Sequence, residues 1–137
     1  MRKKEETQPL KEKNIPKLCS AMSSSKGGVS AGEQAKEAGY MSLADGDREY
    51  DAGSLDNAFR HFASAREAFK ESGDDLLQGV ALLRLSYVEE QRSRLREARK
   101  SAVRARELFE DKQDRALLND AMQRIAFLDT KILERGA

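Results

Sequence analysis

The segment from Leu55 to Arg124 repeats itself after forty residues. When residues 55–84 are aligned with residues 95–124, ten of thirty positions are identical, whereas ordinary composition would give roughly two. The identical pairs are Leu55/Leu95, Ala58/Ala98, Ala65/Ala105, Arg66/Arg106, Glu67/Glu107, Phe69/Phe109, Asp74/Asp114, Leu77/Leu117, Ala81/Ala121 and Arg84/Arg124. A fixed period of this size predicts stacked supersecondary units, which usually present a surface to other macromolecules rather than an active site.

Residue content predicts that these units are helical. The only prolines among the 137 residues are Pro9 and Pro16, and proline is the residue that disfavours a helix interior most strongly. Charged residues make up 36% of the chain and aromatic residues 6%, so the core has to be built from Ala and Leu with a few aromatic rings. Thin helix pairs that share a shallow core fit this composition.

Charge and periodicity divide the chain into two predicted parts. Residues 1–30 carry seven Lys and Arg against three Glu, a net charge of +4, and residues 31–137 carry eighteen against twenty-one, a net charge of −3. The first part has no periodic apolar positions with which to offset the entropy of ordering. We therefore predict a flexible basic arm over 1–30 and one helical domain over 31–137.

Five helices are predicted within that domain, at Gly32–Ala52, Leu55–Glu71, Asp75–Gln91, Leu95–Glu110 and from a cap at Asp114 to about Glu134. Gly53 and Gly73 are expected to end the first two, because glycine readily adopts the left-handed conformation of a helix C-terminus. The short connections predict that consecutive helices pack antiparallel.

The helix pairs resemble the tetratricopeptide repeat over residues 39–128. The matching residues are Gly46, Gly53, Leu55, Ala58, Phe62 and Ala65 in the first unit, and Leu85, Leu95, Ala98 and Ala105 in the second. The period of forty departs from the usual thirty-four of that family, and Ala102 stands where the family has a large aromatic residue. The resemblance implies an all-α fold, in which antiparallel αα-hairpin repeats stack as a short right-handed superhelix of about two and a half repeats.

In tetratricopeptide-like repeats the first helix of each pair lines a concave groove that binds a peptide or helix of another protein. The resemblance places ten residues in that groove: Tyr40, Leu43, Asp47, Tyr50, Leu83, Tyr87, Glu90, Gln91, Gln123 and Phe127. We expect Asp47 and Glu90 to favour basic residues in the partner. The expected function is that of a protein–protein interaction adaptor or scaffold.

A basic segment supports an alternative function. Seven Lys and Arg residues lie between Arg92 and Arg106, and together with the basic arm they could bind the phosphates of nucleic acid or an anionic surface. Four Glu residues lie within or beside this segment, and no aromatic residues alternate with the cations for base stacking. Another protein is therefore the favoured partner.

No residue set predicts catalysis, a cofactor or a metal. His61 is the single histidine and Cys19 the single cysteine, whereas a metal site needs several converging ligands and a general base needs an oriented partner. The sequence contains no apolar run long enough for a signal peptide or a membrane span. We therefore expect a non-enzymatic, soluble protein of the cytoplasm.

The wide apolar stripe of the fifth predicted helix indicates self-association. Leu118, Met122 and Phe127 widen its apolar stripe beyond what one neighbouring helix would cover, and an exposed stripe of this kind marks an interaction surface. A homodimer through this C-terminal helix would cover the stripe. The competing interpretation is that a different protein docks there.

Overall fold

The structure is a computed structural model that describes residues 30–136. Within this range the chain forms α-helices and no β-strand: α1 Ala31–Asp51, α2 Leu55–Ser72, α3 Asp75–Gln91, α4 Leu95–Asp111 and α5 Arg115–Glu134. The all-helical prediction is confirmed, and the observed helix bounds lie within one or two residues of the predicted ones. Except for Ser30, the predicted arm lies outside the described residues.

Polar caps fix the beginnings of two helices. The Ser30 side chain accepts a hydrogen bond from the backbone N–H of Glu33, and the Glu33 carboxylate accepts one from the N–H of Ser30, both at 3.2 Å. Asp114 caps α5 by accepting a bond from the N–H of Leu117 at 3.0 Å. Each cap satisfies backbone donors that have no partner inside the helix.

All four turns between helices use the same backbone device. One residue in each turn has a positive φ, and these residues are spaced by twenty: Gly53, Gly73, Ser93 and Gln113. In each turn the next residue donates its N–H to the carbonyl five residues earlier: Ser54 to Glu49, Asp74 to Phe69, Arg94 to Glu89 and Asp114 to Phe109, at 2.8 to 3.1 Å. This left-handed closure satisfies carbonyls at the end of each of the four helices.

The chain divides into two compact units, with α1 and α2 in the first and α3 to α5 in the second. In the first unit, Gly39 lies against the ring of Phe69 and Gly46 against the ring of Phe62, so closely that an added Cβ would lie 2.5 Å from a ring carbon. From the first pair to the second, the residue number rises by seven in α1 and falls by seven in α2, as it does between two antiparallel helices. Glycine at these two positions lets the helices approach closely.

The second unit uses the same kind of close contact once. Gly79 of α3 lies against the ring of Phe109 of α4, where an added Cβ would again lie 2.5 Å from the ring. The α4–α5 core contains Leu95, Ala98, Ala102, Ile125 and Leu128. α3 has more buried positions than any other helix described, and polar residues are among them.

The two units differ at one pair of facing positions. Gly46 faces the bulky Phe62 in the first unit. The register of α3 and α4 puts Ser86 opposite the small Ala102, and both are fully buried. The hydroxyl of Ser86 therefore lies inside the second unit, where it is available for a polar contact that glycine could not make. None of the helices within residues 30–136 has both the length and the apolar content to cross a membrane.

Candidate partner-binding surface

The four groove residues predicted in the first unit are mostly buried. Leu43 is fully buried, Tyr40 and Asp47 are nearly so, and Tyr50 is half-buried. The Tyr40 ring packs edge-on against Phe69 with the ring centroids 5.7 Å apart. Burial raises the pKa of Tyr40, against the opposing effect of Lys36. Tyr40 thus packs on α2, and Tyr40, Leu43 and Asp47 all expose little surface to a partner.

In the second unit the predicted residues range from buried to exposed. Leu83 is buried, Tyr87, Glu90 and Gln91 are half-buried, and Gln123 and Phe127 are exposed. The contacts between α3 and α5 join residues about forty apart, so the two helices run in the same direction. We call the resulting patch the α3–α5 surface and define it by Tyr87, Glu90, Gln123, Arg124, Phe127 and Lys131.

Arg124 is the centre of this surface. Its Nε donates to the Ser86 Oγ at 3.0 Å, and its Nη2 donates to the Ser86 carbonyl at 3.1 Å and to the Glu90 Oε1 at 2.5 Å. The guanidinium carbon lies 3.9 Å from the centroid of the Tyr87 ring, within range of a cation–π interaction. With its side chain only 5% exposed, Arg124 holds α3 and α5 in a fixed relation.

Phe127 lies beside two cations and remains 46% exposed. The guanidinium carbon of Arg124 is 5.6 Å from its ring centroid, and the Nζ of Lys131 is 5.4 Å from it. That Nζ is also 3.8 Å from the Glu90 Oε2. One carboxylate and two cations leave this cluster with one positive charge.

Glu90 was expected to attract basic residues of a partner. In the structure its two carboxylate oxygens interact with Arg124 and Lys131 of the same chain. Asp47, the other acidic groove residue, is buried. Neither acid therefore presents an exposed, uncompensated negative charge.

Tyr87 contributes a neutral phenol to this surface. Burial is the main cause that raises its pKa, and the charges of Asp120 and Glu90 act in the same direction, while Arg124 opposes them. The hydroxyl therefore keeps its proton at neutral pH and can act as a hydrogen-bond donor or acceptor.

The basic residues of 92–106 occupy a different part of the second unit. Arg96, Lys100 and Arg104 are exposed on α4 at intervals of four residues, which aligns them along one side of the helix. Arg99 is instead paired with Asp129 of α5, its Nε 2.5 Å from the carboxylate. Glu97 and Glu107 are exposed on the same helix.

Three or more His, Cys, Asp or Glu side chains suited to a metal do not converge anywhere in residues 30–136. His61 is half-buried on α2, and Cys19 lies outside the described residues. The expectation of a protein without metal, cofactor or catalytic residues stays a prediction.

Sequence reasoning missed Arg124 and Ser86 as residues of this surface, although a signal was present. Arg124 is one of the ten positions identical to the residue forty before it, here Arg84, and both arginines are buried. A repeated arginine on the inward side of an amphipathic helix indicates a polar contact within the core, because a buried charge needs partners.

Comparison with family models, with curated proteins and with solved structures finds no match to this chain.

Proposed function

We propose that this chain is a cytoplasmic, non-enzymatic adaptor of the tetratricopeptide-like kind, with about two and a half αα-hairpins stacked as a right-handed superhelix. It binds a peptide or helical segment of another protein through the α3–α5 surface. The observation that carries this proposal is the half-exposed ring of Phe127 beside a buried arginine that is hydrogen-bonded to Ser86 and Glu90. The turns spaced by twenty residues support the repeat architecture.

The surface suits binding because its side chains are already ordered. Association costs about 0.5–1.5 kcal/mol for each flexible side chain that it immobilises. Arg124 has its hydrogen bonds to Ser86 and Glu90 before any partner arrives, and Tyr87 is stacked against it. An incoming apolar side chain can therefore pack on Phe127 without first ordering its neighbours.

Charge indicates the kind of segment that fits. The ion pairs of Glu90 with Arg124 and Lys131 leave one positive charge in the cluster, and the Lys131 side chain is about a third exposed. We therefore propose a partner segment with an apolar anchor for Phe127 and a carboxylate that approaches Lys131. This replaces the basic partner expected from Asp47 and Glu90.

A peptide-display experiment tests the proposal. The full chain is immobilised, random peptides are selected against it, and the affinity of each selected peptide is measured for the wild type and for Phe127→Ser. We expect at least a tenfold loss of affinity, since exposed aromatic anchors carry much of the energy in such interfaces. Met41→Ser is the matched control because Met41 is an exposed apolar residue of α1, in the other unit.

Amide chemical shifts locate the bound peptide. Perturbations at Tyr87, Gln123 and Phe127 support the proposal. Peptides that bind both variants with equal affinity, or that perturb only α1 and α2, would overturn it.

A second candidate function is binding to nucleic acid, through the aligned cations Arg96, Lys100 and Arg104. These three residues have no ion pair with a described residue, in contrast to Arg99. Binding that released counterions from phosphates would weaken steeply as salt is raised. Tight, salt-sensitive binding of generic RNA or DNA that is lost when the three cations become Gln would establish this function in place of the adaptor.

A further inference from the structure

The helices α1 and α3 are each covered on the same face by the helix that follows them. On α1, Gly39 and Gly46 lie against rings of α2. On α3, Gly79 lies against a ring of α4, and the register of these two helices continues the contact at Ser86. Position 79 follows position 39 by forty residues, and position 86 follows position 46 by forty. All four residues are buried.

The corresponding face of α5 is exposed. Forty residues further along the chain, the same two positions hold Asn119 and Ala126, and both are exposed. Leu43 and Leu83, which lie between the two positions in α1 and α3, are buried, whereas the corresponding Gln123 is exposed. Within the part of the chain that the structure describes, α5 thus leaves open the face on which α1 packs against α2 and α3 packs against α4.

Two large apolar side chains border this open face. Met122 and Phe127 are 53% and 46% exposed, and they lie about 140° apart around the helix, at 100° for each residue. Asn119 and Ala126 lie in the interval between them. We call this face the α5 groove and define it by Asn119, Met122, Gln123, Ala126 and Phe127. Phe127 also belongs to the α3–α5 surface, so the groove continues the surface already assigned to a partner.

Charge indicates the direction of a helix in this groove. Lys131, whose side chain is about a third exposed, lies near the C-terminal end of α5. An antiparallel helix begins at that end, so a carboxylate in its first turn is favoured by Lys131 and by the partial positive charge of its own N-terminus. The chain's own covering helices have such an acid in the first turn, Asp56 in α2 and Glu97 in α4.

We propose that the partner contributes an amphipathic α-helix that lies in the α5 groove antiparallel to α5, in the place that α2 has on α1. The inference rests on the proposed adaptor function and specifies the conformation and direction of the bound segment. An acid occupies the first turn of the bound helix, close to Lys131, and apolar side chains contact Met122 and Phe127.

The open positions of α5 also restrict two residues of the bound helix. Opposite Ala126 the helix carries a small residue, as α4 carries Ala102 opposite Ser86. Seven residues later, opposite Asn119, it carries a polar residue. Phenylalanine occupies that position in α2 and α4, where it lies against glycine, but the side chain of Asn119 fills the place of such a ring and can hydrogen-bond to a polar neighbour.

Spin-labelled peptides test the conformation and the direction. The probes are the display-selected peptides that lose affinity in Phe127→Ser, each carrying a nitroxide at one end. A label at the peptide N-terminus should broaden the amide signals of Thr130 and Leu133 in the full chain, and a label at the C-terminus should broaden that of Asn119. Circular dichroism should show that the peptide gains helix on binding.

Two substitutions test the packing and the register. Ala126→Leu should weaken binding by about tenfold or more, because added volume prevents a close approach of two helices. Ala38→Leu is the matched control, since Ala38 is exposed on α1 in the other unit. Asn119→Gly opens a place for a ring, so peptides with phenylalanine at the position opposite it should bind this variant more tightly than the wild type. Circular dichroism verifies that the variants keep their helicity.

The outcomes separate this inference from the adaptor function. Peptides that depend on Phe127 but stay extended, that broaden the opposite ends of α5, or that bind Ala126→Leu as well as the wild type would overturn the inference and leave the adaptor intact. If no selected peptide depends on Phe127, the adaptor function fails and the inference fails with it. Shifts at Asn119 and Ala126 when the chain alone is concentrated would assign the groove to a second copy instead.

Discussion

The ring of Phe109 in α4 lies directly against the backbone of Gly79 in α3, with no room for a side chain between them. A Cβ at residue 79 would lie 2.5 Å from the nearest ring carbon. The contact brings the two helix backbones together at this point. Glycine is required at this position because it has no side chain, and not because its backbone can adopt unusual conformations.

We predict that Gly79→Ala destabilises the protein, by about 1–3 kcal/mol, as is typical when a packed core is overfilled. Gly32→Ala is the matched control because its added Cβ would find only the Ser30 Oγ, at 3.8 Å. In that exposed first turn the higher helix propensity of alanine should leave stability unchanged or slightly raised. Urea denaturation measures both variants, and equal stabilities would contradict the packing argument.

Substitution of the turn residues Ser93 and Gln113 by glycine should raise stability. Both adopt positive φ, at 63° and 57°, where a residue with a Cβ is strained. Ser93→Gly and Gln113→Gly should therefore each raise the free energy of unfolding, by about 1 kcal/mol. Thermal melts check this, and Gly53→Ala, at a φ of 86°, should lower stability. A loss of stability in both glycine variants would show that the strain is not significant.

The buried side chain of Glu89 should make the stability of the protein depend on pH. Burial raises the pKa of Glu89, with Arg92 and Arg94 opposing and Glu97 adding to the shift. The folded protein thus holds this proton more tightly than the unfolded chain, so Glu89 lowers stability as pH rises above the ordinary value of about 4.3. Its Oε1 accepts no hydrogen bond from any described residue, so charging it is poorly compensated.

Glu89→Gln should therefore stabilise the protein at pH 7, and the gain should shrink as pH approaches 4. Denaturation midpoints at several pH values measure this difference between the variant and the wild type. Glu110→Gln serves as the control, since Glu110 is exposed on α4. A gain of equal size at every pH would contradict the prediction.

The ion pair of Arg124 with Glu90 should be worth far more than the pair of Arg99 with Asp129, although both join their atoms at 2.5 Å. The first pair is nearly buried and the second is about half exposed. Arg124→Ala should cost about 3–5 kcal/mol because it leaves the largely buried Glu90 carboxylate with only the longer, 3.8 Å contact to Lys131. Arg99→Ala should cost below about 1 kcal/mol. Chemical denaturation compares the two, and similar costs would mean that burial does not distinguish the pairs.

The helices could be predicted from sequence because their ends carry local signals. Gly53 and Gly73 mark two turns, and Asp114 marks the start of α5. Ser93 and Gln113 adopt the same conformation as the glycines, although neither residue type indicates it. The predicted helix bounds already contained the spacing of twenty residues, and the structure added the positive φ that Ser93 and Gln113 share with the two glycines.

The candidate surface was harder to predict than the helices. The family resemblance places Leu43 and Leu83 in a groove, but burial depends on which neighbours cover a helix, and local periodicity does not contain that information. The buried position of Arg124 depends on Ser86 and Glu90 of α3, which are more than thirty residues away in sequence. No local pattern joins residues so distant, so the polar centre of the surface required three-dimensional structure.

The hydrogen bonds of Arg124 also determine how the second unit opens. A terminal helix that packed only on its predecessor could detach alone, and its amide hydrogens would then exchange independently. Arg124 connects α5 to α3 through the Ser86 carbonyl and the Glu90 carboxylate. Detaching α5 would deprive both of these groups of their donor at once. The last helix is thereby coupled to the most buried helix of the chain, and α3 to α5 behave as one cooperative unit.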